Sequence, residues 1–508
     1  MKLELRAVTK HFGTLAANKN VDLVVEPGQI HGLLGENGAG KTTLMNVLYG
    51  MIAPDSGQLL INDEVVTIRD PKDAVTHKIG MVHQHFMLIP VFSVADNIIL
   101  GSEPVKPWPF IDHRSATERI IALAKEYNFD IDPSATVENL PIGTQQRVEI
   151  LKALSHNAEI LILDEPTAVL TPQETDALMV VMRTLKSQGK SIIFITHKLK
   201  EVLEIADVIT VMRLGEVVGT TTPAATDEAA LATMMVGRDV NLVVEKPPVN
   251  AGDVVLEVTN LFVSDDRGLT AVKGVTFEVR AGEILAFAGV QGNGQTELVE
   301  ALTGLRHVTA GSVVLNGSEL VGRSVREVLD AGVGHVPEDR QRHGLVLTMS
   351  IADNLVLDQL GSAQYKAWWG RKLKAIKENG SKRIAEYDIR AQGEDEPLSA
   401  LSGGNQQKVV MARELSRDLK VLICAQPTRG LDVGSIEFMH RQIVAIRDAG
   451  VAVVIVSSEL DEVIALGDRV AVLYDGVLQD IVAPTTSRED LGLLMAGSRP
   501  AATAGAAL

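Results

Sequence analysis

At 508 residues the chain is long enough for roughly two to four compact units, and its 65 acidic against 48 basic side chains leave a net charge of −17. That balance argues against polyanions and anionic lipid as main partners, because both are bound by meeting phosphate with Lys and Arg. A single cysteine, Cys424, excludes an internal disulfide and a multi-cysteine metal site and is most simply a small buried hydrophobe. Apolar runs such as residues 451–456 fall far short of the ~20 residues of a membrane span. The N-terminus lacks the apolar core of a signal peptide, so a soluble, cytoplasmic-type globular protein is expected.

In chain order, Val8-Thr9-x-x-Phe12 precedes a predicted buried strand at 30–34 and then Gly35-Glu36-Asn37-Gly38-Ala39-Gly40-Lys41-Thr42-Thr43. This fits G-x-x-x-x-G-K-[ST] between a strand and a helix: glycines let backbone N–H groups curl around phosphate oxygens, Lys41 bridges the β- and γ-phosphates, and Thr42 holds Mg²⁺. A lone match can also be a glycine-rich turn, so its weight depends on the residues further along the chain. Residues 94–154 lack strand-like runs and read as helical. The strand at 160–163 ends in Asp164-Glu165; paired carboxylates there are costly unless a cation or proton offsets them. Asp164 on Mg²⁺ and Glu165 polarising a water is the economical account, against an acid pair facing solvent. Thr171-Pro172-Gln173-Glu174 predicts a capping box that starts a helix reaching about Ser187. His197 comes after the strand at 191–195, where it could meet a γ-phosphate. Gln84, in Met81-Val-His-Gln-His, is a weaker candidate, and Phe12 could stack on an adenine or belong to the core.

The pattern then repeats. Gly289-x-x-Gly292-x-Gly294 lies half a chain length beyond Gly35-x-x-Gly38-x-Gly40, and Phe262, Ile351-Ala-Asp-Asn and Gly404-x-Gln406-Gln407 recur at offsets that only grow. This is tandem duplication with small insertions in the second copy. The stretch 241–253, with Lys246-Pro247-Pro248, reads as a short stiff linker, and residues 500–508 as a frayed tail.

Leu401-Ser402-Gly403-Gly404-Asn405-Gln406-Gln407-Lys408 resembles the signature motif of ATP-binding cassette (ABC) ATPases, and the P-loop, Gln84, Asp164-Glu165 and His197 stand in family-like order. The resemblance implies an α/β fold of two tandem P-loop NTPase cassettes, residues 1–240 and 254–499, each a strand-rich RecA-like core with a helical subdomain. It implies ATP and Mg²⁺, with Gln84 near the metal and the reacting water. It further implies head-to-tail pairing within the chain, so that Ser402, Gly403, Gly404 and Asn405 present N–H and hydroxyl groups to the γ-phosphate held by the other cassette.

The copies differ in a patterned way. Lys41 becomes Gln295, with Thr296 after it; Gln84 becomes Glu338, Asp164 becomes Ala425, Glu165 becomes Gln426 and His197 becomes Ser458. The first signature, Leu140-Pro141-Ile142-Gly143-Thr144-Gln145, has lost its serine, and proline removes a backbone donor. Leu431-Asp432 is family-like where Leu170-Thr171 is not. Under head-to-tail pairing all losses fall in one site, leaving one competent site built from both halves.

Tandem cassettes with a degraded second P-loop and an intact second signature resemble the ATP-binding subunit of bacterial simple-sugar and nucleoside importers. Val336-Pro-Glu-Asp-Arg340 with Gly344 is similar to that group's second cassette. His83-Gln-His-Phe-Met-Leu-Ile-Pro90, Leu140-Pro141 and Ala425-Gln426-Pro-Thr-Arg-Gly430 look like the nucleoside branch rather than the ribose or galactose branch. The resemblance implies two separate membrane permease subunits docked near Gln84 and Glu338, an extracytoplasmic solute-binding protein met indirectly, and a peripheral place on the cytoplasmic face of the cell membrane. The rival is a soluble tandem-cassette ATPase acting on ribosomes or nucleic acid. The short linker, the degraded site and the acidic charge oppose it. Lys366, Arg371, Lys372, Lys374, Lys377, Lys382 and Arg383 near Trp368-Trp369 favour it, unless they form a solvated helix face with two packed tryptophans, which is the expected arrangement.

Overall fold

Val21, Leu23 and Val25 are buried while Asp22 and Val24 face solvent, the period of two that a half-covered strand requires. In the computed structural model this strand, Leu15–Val25, pairs antiparallel with Leu3–Phe12, which pairs in turn with Ser56–Ile61 and then Glu64–Val66. The structure describes residues 1–498 except 14, 84–86, 105–110, 128, 168–169, 171, 240–243 and 291. Gln84, Thr171 and residues 500–508 therefore lie outside the described residues. The chain divides into two units, Met1–Val240 and Asn241–Leu508.

Ile30–Gly35, Ile160–Asp164 and Ser191–Ile195 are buried along their whole length, as near-continuous apolar runs must be in a parallel sheet covered on both faces. They lie in a sheet ordered Glu216–Thr221, Val208–Arg213, Ile30–Gly35, Ser191–Ile195, Ile160–Asp164, Ile79–Val82, parallel except for its first pair. Leu33 stands opposite Ile195, and Ile195 opposite Asp164. The register thus brings the ends of three neighbouring strands to one level, and the loops leaving them to one place. Helices Val94–Ile99, His113–Glu126 and Ile142–Ser155 pack on one another as a separate layer.

The second unit repeats this plan. Its four-stranded sheet runs Thr270–Arg280, Val254–Ser264, Val308–Leu315, Ser318–Glu319; its six-stranded sheet runs Val333–Val336, Val421–Ala425, Ala452–Ser457, Ile284–Ala288, Arg469–Tyr474, Val477–Val482. Ile351–Asn354, Leu373–Glu386 and Gly403–Glu414 form the matching helical layer. Cys424 is fully buried in the core, where desolvation pushes its thiol far above the ordinary value.

One expectation changes. Trp368 and Trp369 do not pack on a helix face: they are exposed at a hairpin between Lys366–Ala367 and Gly370–Arg371, and the helix begins only at Leu373. The described linker residues are bonded to the second unit. Lys246 Nζ donates to the carbonyls of Leu466 (2.8 Å) and Gly467 (2.6 Å) and pairs with Asp468 at 3.0 Å, while Arg447 bonds the Pro247 carbonyl at 3.0 Å. These bonds tie 246–247 to the second unit because Asp468, only 5% exposed, needs cations beside it.

Candidate nucleotide-binding site

Gly40 has φ 97°, and a Cβ there would lie 2.2 Å from the Ala17 carbonyl oxygen, so only glycine closes this loop. Beyond it the helix Lys41–Leu48 starts with no side chain capping it among the described residues, leaving its first N–H groups directed into the loop Glu36-Asn37-Gly38-Ala39. Lys41 is 6% exposed, and its ammonium donates to the Gly35 carbonyl at 2.7 Å and the Glu36 carbonyl at 3.0 Å. Burial lowers its pKa, opposed by the negative charges of Glu165, Asp164 and Glu36. Thr42 is exposed and Thr43 half-buried on the first turn.

Asp164 ends its strand 5% exposed. Burial, reinforced by Glu165 beside it, pushes its carboxyl up to about 6, while Lys41 and a hydrogen bond from the Thr42 hydroxyl pull the other way. A buried carboxylate beside a hydroxyl offers the oxygen ligands that a hard cation takes. Glu165 is next, at φ 47°, a left-handed backbone held by its N–H on the Ile195 carbonyl at 2.9 Å. Burial raises its pKa, yet the hydrogen bond from His197 and the charges of His197, Lys41 and Lys198 outweigh that and hold it below the usual carboxylate range. His197 Nδ1 lies 3.0 Å from Glu165 Oε1. An ionised carboxylate only accepts, so Nδ1 carries the proton. The structure thus gathers Lys41, Thr42, Asp164, Glu165 and His197; Phe12 stands at a strand end, 49% exposed.

In the second unit Gly294 (φ 94°) keeps the loop turn. Gln295 reproduces the bond of Lys41 by donating from Nε2 to the Val290 carbonyl at 2.9 Å, and its Oε1 accepts from the Asn293 N–H at 3.2 Å. A loop donor is therefore engaged by the side chain that replaces the lysine. Gly289 and Gly292 hold their equivalent positions, Thr296 is exposed, and Phe262 is half-buried beside Gly274. Ala425 ends its strand, and Gln426 keeps the left-handed conformation at φ 48°. Gln426 Oε1 accepts from both the N–H and the hydroxyl of Ser458 at 3.1 Å. Glu338 forms an ion pair with Arg429.

In the second signature, side chains of the neighbouring elements close directly over the two glycines. A Cβ on Gly404 would lie 2.1 Å from Ser435 Oγ and one on Gly403 2.4 Å from Arg340 Nη2. Ser402 caps the helix Gly403–Glu414 and receives Asn405 Nδ2 at 3.0 Å. In the first unit Glu174 stands in place of Ser435, and its carboxylate accepts from the Gly143 N–H at 3.3 Å. The first signature helix therefore begins against an internal negative charge. Sequence reasoning missed this, reading Glu174 only as part of a cap; comparing Glu174 with Ser435 across the repeat was the available signal. It also missed why both copies keep their glutamine pair: Gln146 and Gln407 donate to the Pro166 and Pro427 carbonyls, at 2.6 and 3.1 Å, and join the signature helix to the loop after the acidic strand.

A P-loop, a buried Asp164 bonded by the Thr42 hydroxyl and a Glu–His pair at three adjacent strand ends, with a signature-type helix, define a P-loop ATPase of the two-cassette type. The ABC transporter family model matches residues 18–168 and 272–429, and the chain belongs to that family as an ABC transporter ATPase. It is 46% identical to the nucleoside import ATP-binding protein NupA of Lactococcus lactis subsp. cremoris, over 97% of this chain and 98% of that one. It is 46% identical to the guanosine import ATP-binding protein NupO of Bacillus subtilis, over 98% and 97%. It is 43% identical to the glucose import ATP-binding protein TsgD13 of Haloferax volcanii, over 99% and 97%. Among the described residues no helix is long and apolar enough to cross a membrane.

Proposed function

We propose that the chain is the ATP-hydrolysing subunit of an importer for a nucleoside, working through separate permease subunits at the cytoplasmic face of the membrane. Near-full-length identity to nucleoside and guanosine import ATP-binding proteins supports the substrate class. The glucose import relative keeps a monosaccharide as the second reading. Candidate docking grooves exist in both units: one of about 160 Å³ beside His83, Met87 and Glu149, another of about 370 Å³ beside Pro337, Arg342 and His343.

In this reading residues 1–240 supply catalysis and residues 254–499 lend their signature. Lys41 exchanges its loop carbonyls for the β- and γ-phosphates of ATP, at little cost because a buried ammonium already pays for desolvation. Thr42 and Asp164, with Gln84, would hold Mg²⁺, which when bound neutralises phosphate charge. Glu165 accepts a hydrogen bond from the attacking water, and His197 fixes the orientation of that carboxylate. To donate to the γ-phosphate as well, His197 must be the imidazolium, since Nδ1 already carries a proton. Ser402 and the N–H groups of Gly403 and Gly404 oppose the developing charge from the other side.

The carrying observation is the segregation of intact parts: a charged catalytic set in the first unit, and an intact Ser402-Gly403-Gly404 signature with Ser402 capping its helix in the second. Reconstitution with the permeases and solute-binding protein tests the reading. ATP-dependent accumulation of radiolabelled nucleoside, competed by other nucleosides and not by glucose or ribose, supports it; accumulation of monosaccharide alone selects the second reading.

A further inference from the structure

Trp368 is 93% and Trp369 75% exposed, a large apolar surface set in water. They form the two-residue tip of a hairpin in which Lys366 pairs with Arg371 and Ala367 with Gly370. Such tips favour Asn, Asp or Gly for their backbone freedom, so nothing in the turn asks for indoles. The base is fixed. The Lys372 N–H bonds the Tyr365 carbonyl at 2.8 Å, and Tyr365 is buried with Ala352, Val356 and Ile376 in a small core of its own. Leu373, the first residue of the helix that follows, is also 61% exposed.

The charge around it is equally local. Residues 366–374 contain Lys366, Arg371, Lys372 and Lys374 and no carboxylate, in a chain whose net charge is −17. Arg371 meets Asp353 at 3.1 Å and Lys372 the Ala363 carbonyl at 2.8 Å. Lys374 reaches Glu378 only at 3.8 Å with both side chains exposed, a weak pair. A rigid, protruding, cationic wedge with paired indoles matches the interface of an anionic bilayer, where indoles settle among headgroups and cations at lipid phosphates.

We propose that this hairpin is an anchor for an anionic phospholipid surface. Overall acidity excludes general adhesion, and the hairpin supplies it at one point. A nucleic-acid groove would present its aromatics as stacking platforms along a channel, whereas these two indoles stand exposed at the tip of a hairpin, with an exposed leucine following close in sequence. The presence of a membrane is taken from the importer reading, but the test does not involve transport.

The purified full chain carrying Trp108→Phe, which leaves Trp368 and Trp369 as the remaining indoles of three, is mixed with phosphatidylcholine vesicles with or without phosphatidylglycerol. Emission should shift to the blue, and partitioning by flotation should rise about ten-fold, only when the anionic lipid is present. Trp368→Ser with Trp369→Ser should lose that gain, Lys366→Glu with Lys374→Glu should lose it too, and ATPase turnover should stay unchanged in both. Equal partitioning of the double tryptophan variant and its parent overturns the anchor. So does an emission shift with a single-stranded RNA oligonucleotide and none with anionic vesicles, which assigns the surface to nucleic acid. Failure of reconstituted uptake would remove the importer reading and leave the vesicle result standing.

Discussion

His197 Nδ1 lies 3.0 Å from Glu165 Oε1, and at the same two strand ends of the second unit Ser458 and Gln426 are joined at 3.1 Å. The backbone is the same too, with Glu165 at φ 47° and Gln426 at φ 48°. Strained conformations persist only where the surroundings enforce them, so duplication preserved the scaffold while charge was lost. Glu165→Gln recreates in the first unit the neutral bridge of the second. It should cut steady-state ATP turnover by roughly 10²–10⁴ and leave ATP affinity within a few-fold of the parent, read by phosphate release and by equilibrium binding. Turnover near the parental rate would sink the assignment of Glu165.

The reverse change should restore little. Gln426→Glu returns a carboxylate to the second unit, but Ala425 still lacks the metal-type acid, Ser458 cannot replace the imidazole, and Gln295 still engages the Asn293 N–H. In the Glu165→Gln background the added Gln426→Glu should leave turnover at the background level. Recovery to more than a tenth of the parental rate would show the second unit to be catalytically repairable by one residue.

A sharper contrast tests which signature works. Ser402→Ala removes a hydroxyl that caps its helix and, in the proposed pairing, faces the γ-phosphate of ATP on the first P-loop. Turnover should fall by about 10–100-fold, although Ser402 belongs to the unit without the catalytic acid. Glu174→Ser removes the carboxylate from the Gly143 N–H and should change turnover by less than two-fold, because in the proposed pairing the first signature has no part in the working site. If Glu174→Ser proved as damaging as Ser402→Ala, the division of labour would be wrong.

The duplication, the buried strands and the residues at their ends were legible in the sequence because they are local: a glycine loop, an apolar run and the polar residue that ends it. Asp164, Glu165 and His197 could be placed together because parallel strands deliver their ends to one edge. Glu174 on Gly143 was not legible, since it depends on how the helix Pro172–Ser187 meets the helix Ile142–Ser155. The exposure of Trp368 and Trp369 was misread, because composition cannot tell a packed aromatic from one lifted onto a turn. The docking of Lys246 was missed because Asp468 lies far along the chain and needs its cation only once buried.

Each unit also carries a deeply buried histidine whose pKa burial pushes far down. His31 is 2% exposed in the strand that leads to the P-loop, its Nε2 2.9 Å from the Thr210 hydroxyl, and burial pushes it down to about 4. His335, in the strand Val333–Val336, is likewise pushed down to about 4, chiefly by burial. An unfolded histidine titrates near ~6.5, so between that pH and about 4 the unfolded chain binds protons that the folded chain refuses. Stability is therefore full above the unfolded value and falls with acid across this window, by on the order of 3 kcal/mol for each group. In urea denaturation between pH 7 and pH 4, His31→Leu should remove this acid-dependent loss from the first unit relative to the parent, at the cost of the Thr210 hydrogen bond at neutral pH. Asp164, pushed up to about 6, contributes with the opposite sign in both proteins, so the decisive quantity is the difference between variant and parent, and equal pH slopes in the two would contradict the neutral, buried state of His31.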